Sequence, residues 1–356
     1  MLRNSMKKIL FSVTALFAVV SLVAAGCSDD NDNENVSSAD KPSIVVTTNI
    51  LGDVVSNMVG DSFNVEVIMP PGSDPHDFQA SAQQVEKMMS ADLLVVNGAN
   101  FEEGMLSVIE SAEADGVMVF EAISVVSQLE GSDDHGHDDH EGHDDHDDHK
   151  DHDDHEGHDD HDDHKGHDDH DDHEGHDHGG IDPHFFTDPA RMAVVVEELS
   201  EFLVANFPNV DQGFVSTAND YAQELIDLDE EVNEILSEIP QEGKVLVTNH
   251  AVFAYFADSY GFEILGEIIP SASTLSSANA QQLASLADEL SSNSVKAIFA
   301  DASASDTLAR TLAAEVGGIE VITLFTESLG EPGSSGANYI EMVKFNAQAI
   351  ASGLVG

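Results

Sequence analysis

Residues 217–237 read TANDYAQELIDLDEEVNEILS, and this stretch restricts the fold more than any other. Tyr221, Leu225, Leu228, Val232, Ile235 and Leu236 recur at spacings of three and four, so they line one stripe of an amphipathic helix. At 1.5 Å per residue the helix spans about 30 Å, the width of a domain. Pro240 and Gly243 stop it. The sequence on either side of this helix has the same rhythm, short apolar runs alternating with helical segments.

Before the helix, SIVVTTN, NVEVIM, DLLVVNG and VMVFEA read as strands. Helices fall between them at ILGDVVSNMVG, ending at Gly60, at SAQQVEKMMS, capped by Ser81, and at FEEGMLSVIESAEA. After it, KVLVT, FEILGEI, KAIFAD and EVITLF are strands, separated by AVFAYFADSY, SANAQQLASLADELSS, with Ser277 as its expected cap, and SDTLARTLAAEVG. ANYIEMVKFNAQAIASGL closes the chain as a helix. Such alternation predicts an α/β fold of two lobes, each a mainly parallel sheet flanked by helices. The boundaries are residues 42–212 for the first lobe, 213–239 for the linking helix and 240–356 for the second lobe.

The first lobe is interrupted. Residues 131–180 contain no apolar side chain and repeat units such as GHDDHDDHKGHDDHDDHE, so they cannot form a packed core and read as a disordered loop. Sixteen of the 19 histidines lie here: His135, His137, His140, His143, His146, His149, His152, His155, His158, His161, His164, His167, His170, His173, His176 and His178. Their chemistry is that of a weak, multi-ion collector, or of a solvated spacer that binds metal only because histidines do.

Charge narrows the partners. The 356 residues carry 12 Lys+Arg and 69 Asp+Glu, a net charge of -57. Only 23 of those acidic residues fall between Gly131 and Gly180, so the acidity is global. Such a surface repels nucleic acid and anionic lipid and attracts cations. At the start, Arg3, Lys7 and Lys8 precede an apolar run from Ile9 to Val23, too short for a comfortable transmembrane helix but of signal-peptide length. Residues 1–26 are therefore expected to be a signal peptide. Cys27, the one cysteine, follows Ala24, Ala25 and Gly26 in a pattern that resembles a lipobox, with Ala24 in place of the usual Leu. The match implies a lipidated N-terminus at Cys27 and a polar tether over 27–41, and hence an exported protein anchored on the periplasmic or outer face of the cytoplasmic membrane.

Three histidines remain outside the tract: His76 in PPGSDPHDFQAS, His184 in DPHFFTDP and His250 in VTNHAVFAYF. Each lies at or beside a strand-to-helix junction. Ligands of open α/β sheets bind outside the carboxyl ends of strands, so the three can meet in one cleft. Three imidazoles are a ligand set that Zn²⁺ favours, and an oxygen donor completes the tetrahedron. Asp301 and Glu327, both at later strand ends, are the candidates; Asp182 and Asp188, flanking His184, are candidate outer partners.

At these residues the chain resembles the metal-specific solute-binding proteins of ABC uptake systems, most of all the zinc-binding, ZnuA-like branch. PPGSDPHDFQASAQQVEKM, DPHFFTDPARMA, TNHAVFAYFADSYGFEILG and LFTESLG match that family's motifs in order, and the likeness runs from Pro42 to the end. The resemblance implies two lobes joined by a rigid helix. It makes His76, His184 and His250 metal ligands, with Glu327 as the fourth where relatives carry Asp. Phe186 stands where the family commonly has Trp, a difference of packing. Manganese-type members place Glu where this chain has His250. The resemblance further implies a monomer that hands Zn²⁺ to a membrane permease driven by a cytoplasmic ATPase, with no enzymatic activity. His/Asp-rich loops occur at the same place in related zinc-binding members. Competing readings are a manganese or iron member of the family, a zinc-dependent hydrolase and an extracellular metal buffer; no HExxH, G-x-S-x-G or Gly-rich phosphate loop supports the hydrolase.

Overall fold

The structure is a computed structural model that describes residues 41–131 and 180–355. The signal peptide, Cys27, the tether up to Asp40 and the histidine tract from Ser132 to Gly179 lie outside the described residues.

The first sheet contains β1 (Ser43–Val46), β2 (Asn64–Val67), β3 (Leu93–Val96) and β4 (Met118–Glu121) in the order β2-β1-β3-β4. The second contains β5 (Val245–His250), β6 (Glu263–Ile269), β7 (Ala297–Asp301) and β8 (Glu320–Leu324) in the order β6-β5-β7-β8. All strand pairs within both sheets are parallel. The two orders are the same, so each lobe is wound alike. Helices α1 (Asn49–Val59), α2 (Ala82–Met89), α3 (Leu106–Ala114) and α4 (Pro189–Asn206) belong to the first lobe. After the linking helix α5 (Phe214–Leu236), the second lobe has α6 (Ala254–Tyr260), α7 (Ala280–Asn293), α8 (Thr307–Val316) and α9 (Tyr339–Val355).

Local chemistry sets most ends. Gly60 closes α1 at φ 50, a conformation open to glycine. Ser81 and Gln84 form a capping box at α2. The cap of α7 is Asn279, not Ser277: Asn279 and Gln282 exchange the two capping-box bonds, and the serines before them belong to a loop. Helix α5 starts two turns before its stripe, at Phe214, because Phe214 and Ala218 extend its buried face. Tyr221, Leu225, Leu228, Val232 and Leu236 are buried along that face, with Ile235 packed at the edge.

The hydrophobic core does not stop at the boundary between lobes. One cluster contains Ile44, Leu93 and Val196 of the first lobe, Leu225 and Val232 of α5, and Leu246, Phe299 and Ile350 of the second. Two smaller clusters sit on the far face of each sheet. The lobes therefore share an apolar floor, and the carboxyl ends of the strands open above it. No helix among the described residues is long and apolar enough to cross a membrane.

Candidate metal centre

Both D-P-H segments fold by the same local rule. The aspartate two residues before each histidine accepts that histidine's backbone N–H: Asp74 Oδ1 from His76 at 3.0 Å, Asp182 Oδ1 from His184 at 2.8 Å. Proline between them fixes φ and carries no N–H to compete. His76 follows β2 on the way to α2. His184 precedes a short 3₁₀ turn, Phe185–Thr187, and α4, which Asp188 caps by accepting from Ala190 N and Arg191 N. His250 is the last residue of β5. Glu327 lies past β8, in a loop held by Asn346, which donates to Phe325 O at 2.7 Å and accepts from Phe325 N at 3.0 Å.

These four residues meet. His76, His184, His250 and Glu327 are at most 2 % exposed, and one ligand atom of each lies within 4.8 Å of all the others. The Nε2 atoms converge on one carboxylate. His250 Nε2 is 2.8 Å from Glu327 Oε1, His184 Nε2 is 3.3 Å from the same oxygen, and His76 Nε2 is 3.6 Å from Oε2. His76 Nε2, His184 Nε2 and Glu327 Oε2 have no hydrogen-bond partner among the described residues. Buried polar atoms are normally paired, so this much unmet capacity in one place is the signature of a cation site.

The remaining imidazole nitrogens distinguish the three histidines. His184 Nδ1 is 2.7 Å from Asp182 Oδ1, and His76 Nδ1 is 3.0 Å from Glu103 Oε1. Each carboxylate fixes the ring and leaves Nε2 free to coordinate. His250 Nδ1 has no such partner among the described residues. Phe101 packs edge-on against His76 and His184, with centroids 5.1 and 5.5 Å away. It is delivered by a turn in which Ala99 and Asn100 adopt φ 50 and 59, braced by buried Glu102, which accepts from Thr47 Oγ1 at 2.6 Å and Asn97 N at 2.7 Å. Phe186 adds a second wall, 5.9 Å from His184.

Electrostatics match the geometry. Burial, the largest influence on His184, opposes its charge, but Glu327 and Asp182 outweigh it and raise the pKa to about 10. Burial likewise opposes His76, and Glu103 and Glu327 raise it to about 9. Glu327 is buried, which pushes its pKa up, yet His184 and His250 hold it well below the usual carboxylate range. Without an ion, Glu327 together with Asp182 and Glu103 favours protons on these two imidazoles.

Asp301 and Asp182 stand outside the four. Asp301 is buried, and burial followed by repulsion from Glu327 raises its pKa. It accepts from Ser303 N at 2.6 Å, from Thr326 N at 3.3 Å and from both hydroxyls of those residues. Its oxygens shape the Glu327 loop instead of joining the cluster. Asp182 serves His184, and Asp188 takes Arg191, Ser259 and its helix cap. The sequence reading missed Phe101, Glu102 and Glu103, although FEEG after the strand DLLVVNG places two carboxylates at a strand end. It also missed Asn49 of α1, which donates to Ser328 Oγ at 2.8 Å and accepts from Leu329 N at 2.7 Å, joining the lobes beside Glu327.

Two α/β lobes on a shared floor, with a buried His₃-carboxylate cluster where their strands end, define a solute-binding protein for a divalent cation. The chain belongs to the ZnuA family, zinc-uptake complex component A periplasmic, whose family model matches residues 44–353. It is similar to the manganese ABC transporter substrate-binding lipoprotein PsaA of Streptococcus anginosus, 25% identical over 98% of this chain and 99% of that protein. It has the same 25% identity to the manganese-binding lipoprotein MntA of Halalkalibacterium halodurans, over 98% of this chain and 99% of that one. Among solved structures it resembles the periplasmic zinc binding protein TroA from Treponema pallidum, with a TM-score of 0.69, 25% identity, and coverage of 88% of this chain and 99% of the other. The chain is thus the substrate-binding component of a metal ABC transporter, a family of solute-binding proteins and not of enzymes, and its partners are a permease and an ATPase.

Proposed function

We propose that this protein captures one Zn²⁺ ion between the Nε2 atoms of His76, His184 and His250 and the carboxylate of Glu327, outside the cytoplasm, and delivers it to its permease. The observation that carries this reading is the convergence of three buried Nε2 atoms on one carboxylate. Three imidazoles and one oxygen suit Zn²⁺, which takes four ligands at about 2.0–2.1 Å; Mn²⁺ favours oxygen-rich sets. Asp182 and Glu103 would hold two of the rings in the coordinating tautomer.

In this reading residues 42–212 and 240–356 are the two lobes and 213–239 their link. Cys27 carries a lipid that holds the monomer at the membrane, and the sixteen histidines of the tract gather ions weakly near the cleft. The global negative charge favours cation arrival.

A second reading, Mn²⁺ as the natural cargo, is favoured by the names of the relatives PsaA and MntA. Elemental analysis of protein purified without added metal, followed by Zn²⁺ and Mn²⁺ titrations against a competing chelator, separates them. Zinc recovered at one tight equivalent is the expected result. Manganese recovered, or bound more tightly, overturns the zinc assignment. Mass spectrometry of the mature N-terminus tests the lipid on Cys27.

A further inference from the structure

All four residues of the cluster are sealed from solvent, so an ion reaches or leaves them only if part of the protein moves. The lobes themselves are poor candidates. Their floor is one continuous apolar core, and the Asn49–Ser328–Leu329–Gly72 network, with Gly72 N donating to Leu329 O at 3.0 Å and to Ser328 Oγ at 2.8 Å, ties them together beside Glu327. One segment differs. Residues 270–279, between β6 and α7, read PSASTLSSAN, and none of them is buried. Leu275, its largest apolar side chain, is 54% exposed.

This segment is a strap across the cleft. At its base, Ser271 O accepts from Ala251 N at 3.1 Å, immediately after His250. At its tip, Thr274 Oγ1 donates to Asp74 Oδ2 at 2.7 Å. The other oxygen of Asp74 holds His76 N. Ser273 reaches Glu103, the carboxylate on His76 Nδ1. Both attachments of the tip are therefore the groups that orient His76. Thr274 and Leu275 line an open pocket of about 450 Å³ with Asp77, Asn249 and Leu308, and no residue of the segment is buried in a core. A segment held by a few polar bonds and little apolar burial opens at low free energy.

We propose that Thr274 is the latch of the metal site: its bond to Asp74 holds the strap closed over the cluster, and breaking that bond frees His76 and lets the ion leave. The inference rests on the metal-binding reading above. It makes Thr274 a positioning residue, acting on His76 through Asp74. It also explains how a cleft with a fused floor releases its cargo: only the rim moves.

The test compares Thr274→Val, which keeps the shape and loses the donor, with Thr274→Ser, which keeps the donor. Two readouts are taken on the full chain: amide exchange of residues 271–276 in metal-free protein, and release of Zn²⁺ from loaded protein into excess EDTA. A hydrogen bond to a carboxylate is worth enough that its loss raises both rates by about tenfold or more. The expected result is that rise in Thr274→Val, near-normal rates in Thr274→Ser, and a Tm of the metal-free protein lowered in Thr274→Val by no more than the few degrees that one hydrogen bond accounts for. Unchanged exchange, faster exchange without faster release, exchange that rises equally across the core, or a serine variant as fast as the valine one each overturns the latch. If the unaltered protein holds no Zn²⁺ tightly, the metal reading fails instead, and the exchange arm still decides whether Thr274 holds the strap.

Discussion

The two lobes have the same strand order, and each gives two residues to the cluster, but they hold them differently. In the first lobe both histidines are held from behind: Asp74 and Asp182 fix the backbone of His76 and His184, and Glu103 and Asp182 fix their rings through Nδ1. In the second lobe His250 has no partner on Nδ1 among the described residues, and its Nε2 bonds directly to Glu327. The first lobe is a prepared half-site. The second supplies a ligand pair that satisfy each other until an ion separates them. A cation completes the second lobe's chemistry, whereas the first lobe has its geometry already.

Removing a ligand is the harshest way to probe this contrast. His76→Ala, His184→Ala or His250→Ala should each lower zinc affinity by well over about 100-fold, beyond the 10–100-fold range seen when outer partners are lost. Competition with a chelator measures it. Tight binding retained in all three variants would sink the site.

Protons come next. With His76 raised to about 9 and His184 to about 10, both imidazoles are charged near pH 7 in the metal-free protein. Zinc binding should therefore release about two protons at pH 7.5, read by calorimetry in buffers of different ionisation enthalpy, and affinity should rise by up to about tenfold per pH unit per proton. Unperturbed imidazoles, with pKa near 6.5, would confine the change to about pH 5–7; the carboxylates of Glu327, Asp182 and Glu103 move it upward against the effect of burial. The same shift sets stability. Both pKa values lie above the unfolded value near 6.5, so this contribution is complete below about pH 6.5 and lost as pH climbs through 9 and 10. The Tm of the metal-free protein should fall across that window while the zinc-loaded form resists. A flat profile would show that the imidazoles do not pair with Glu327.

Outer partners give a smaller effect that separates the lobes directly. Asp182→Asn should weaken zinc binding by about 10–100-fold, since it disturbs both the ring and the backbone of His184. Glu103→Gln should lie at the lower end, because that side chain is 32% exposed and water can replace it. Equal, negligible effects would mean that the first lobe is no better prepared than the second.

The smallest effect on the tight site is expected from deleting residues 133–178. The ends of the tract already adjoin: Gly131 N donates to Gly180 O at 2.8 Å, and Glu130 and Ile181 form an antiparallel bridge. A short turn can replace the tract without disturbing Asp182, whose N–H bonds to Leu129 O. Calorimetry should keep the tight phase and lose only a weak, multi-ion phase. Loss of the tight phase would make the repeat itself the primary site.

Much of this architecture is written locally. The alternation of apolar runs and amphipathic segments specifies parallel sheets because only that arrangement buries both faces of each strand. The stripe from Tyr221 to Leu236 specifies the linking helix, and D-P-H specifies its turn through a carboxylate two residues from the amide it caps. Strand ends are fixed by chain order, so the placement of His250 at the end of β5 follows from the sequence as well; His76 lies nine residues past β2, and His184 sits between the isolated bridge at Ile181 and the 3₁₀ turn before α4 instead of at a strand end.

What folding alone decided is which distant carboxylate serves which nitrogen. Outside the tract there are 46 acidic residues, and local rules do not rank them. Asp301 and Glu327 follow adjacent strands, β7 and β8, and look equivalent as ligands. Asp301 is drawn away because Ser303 and Thr326 occupy its oxygens, and Glu327 is left facing three imidazoles. Glu103 reaches His76 across 27 residues of chain, and Thr274 reaches Asp74 across 200. A hydrogen bond depends on a few tenths of an ångström, and separations of that kind are set by how whole lobes pack.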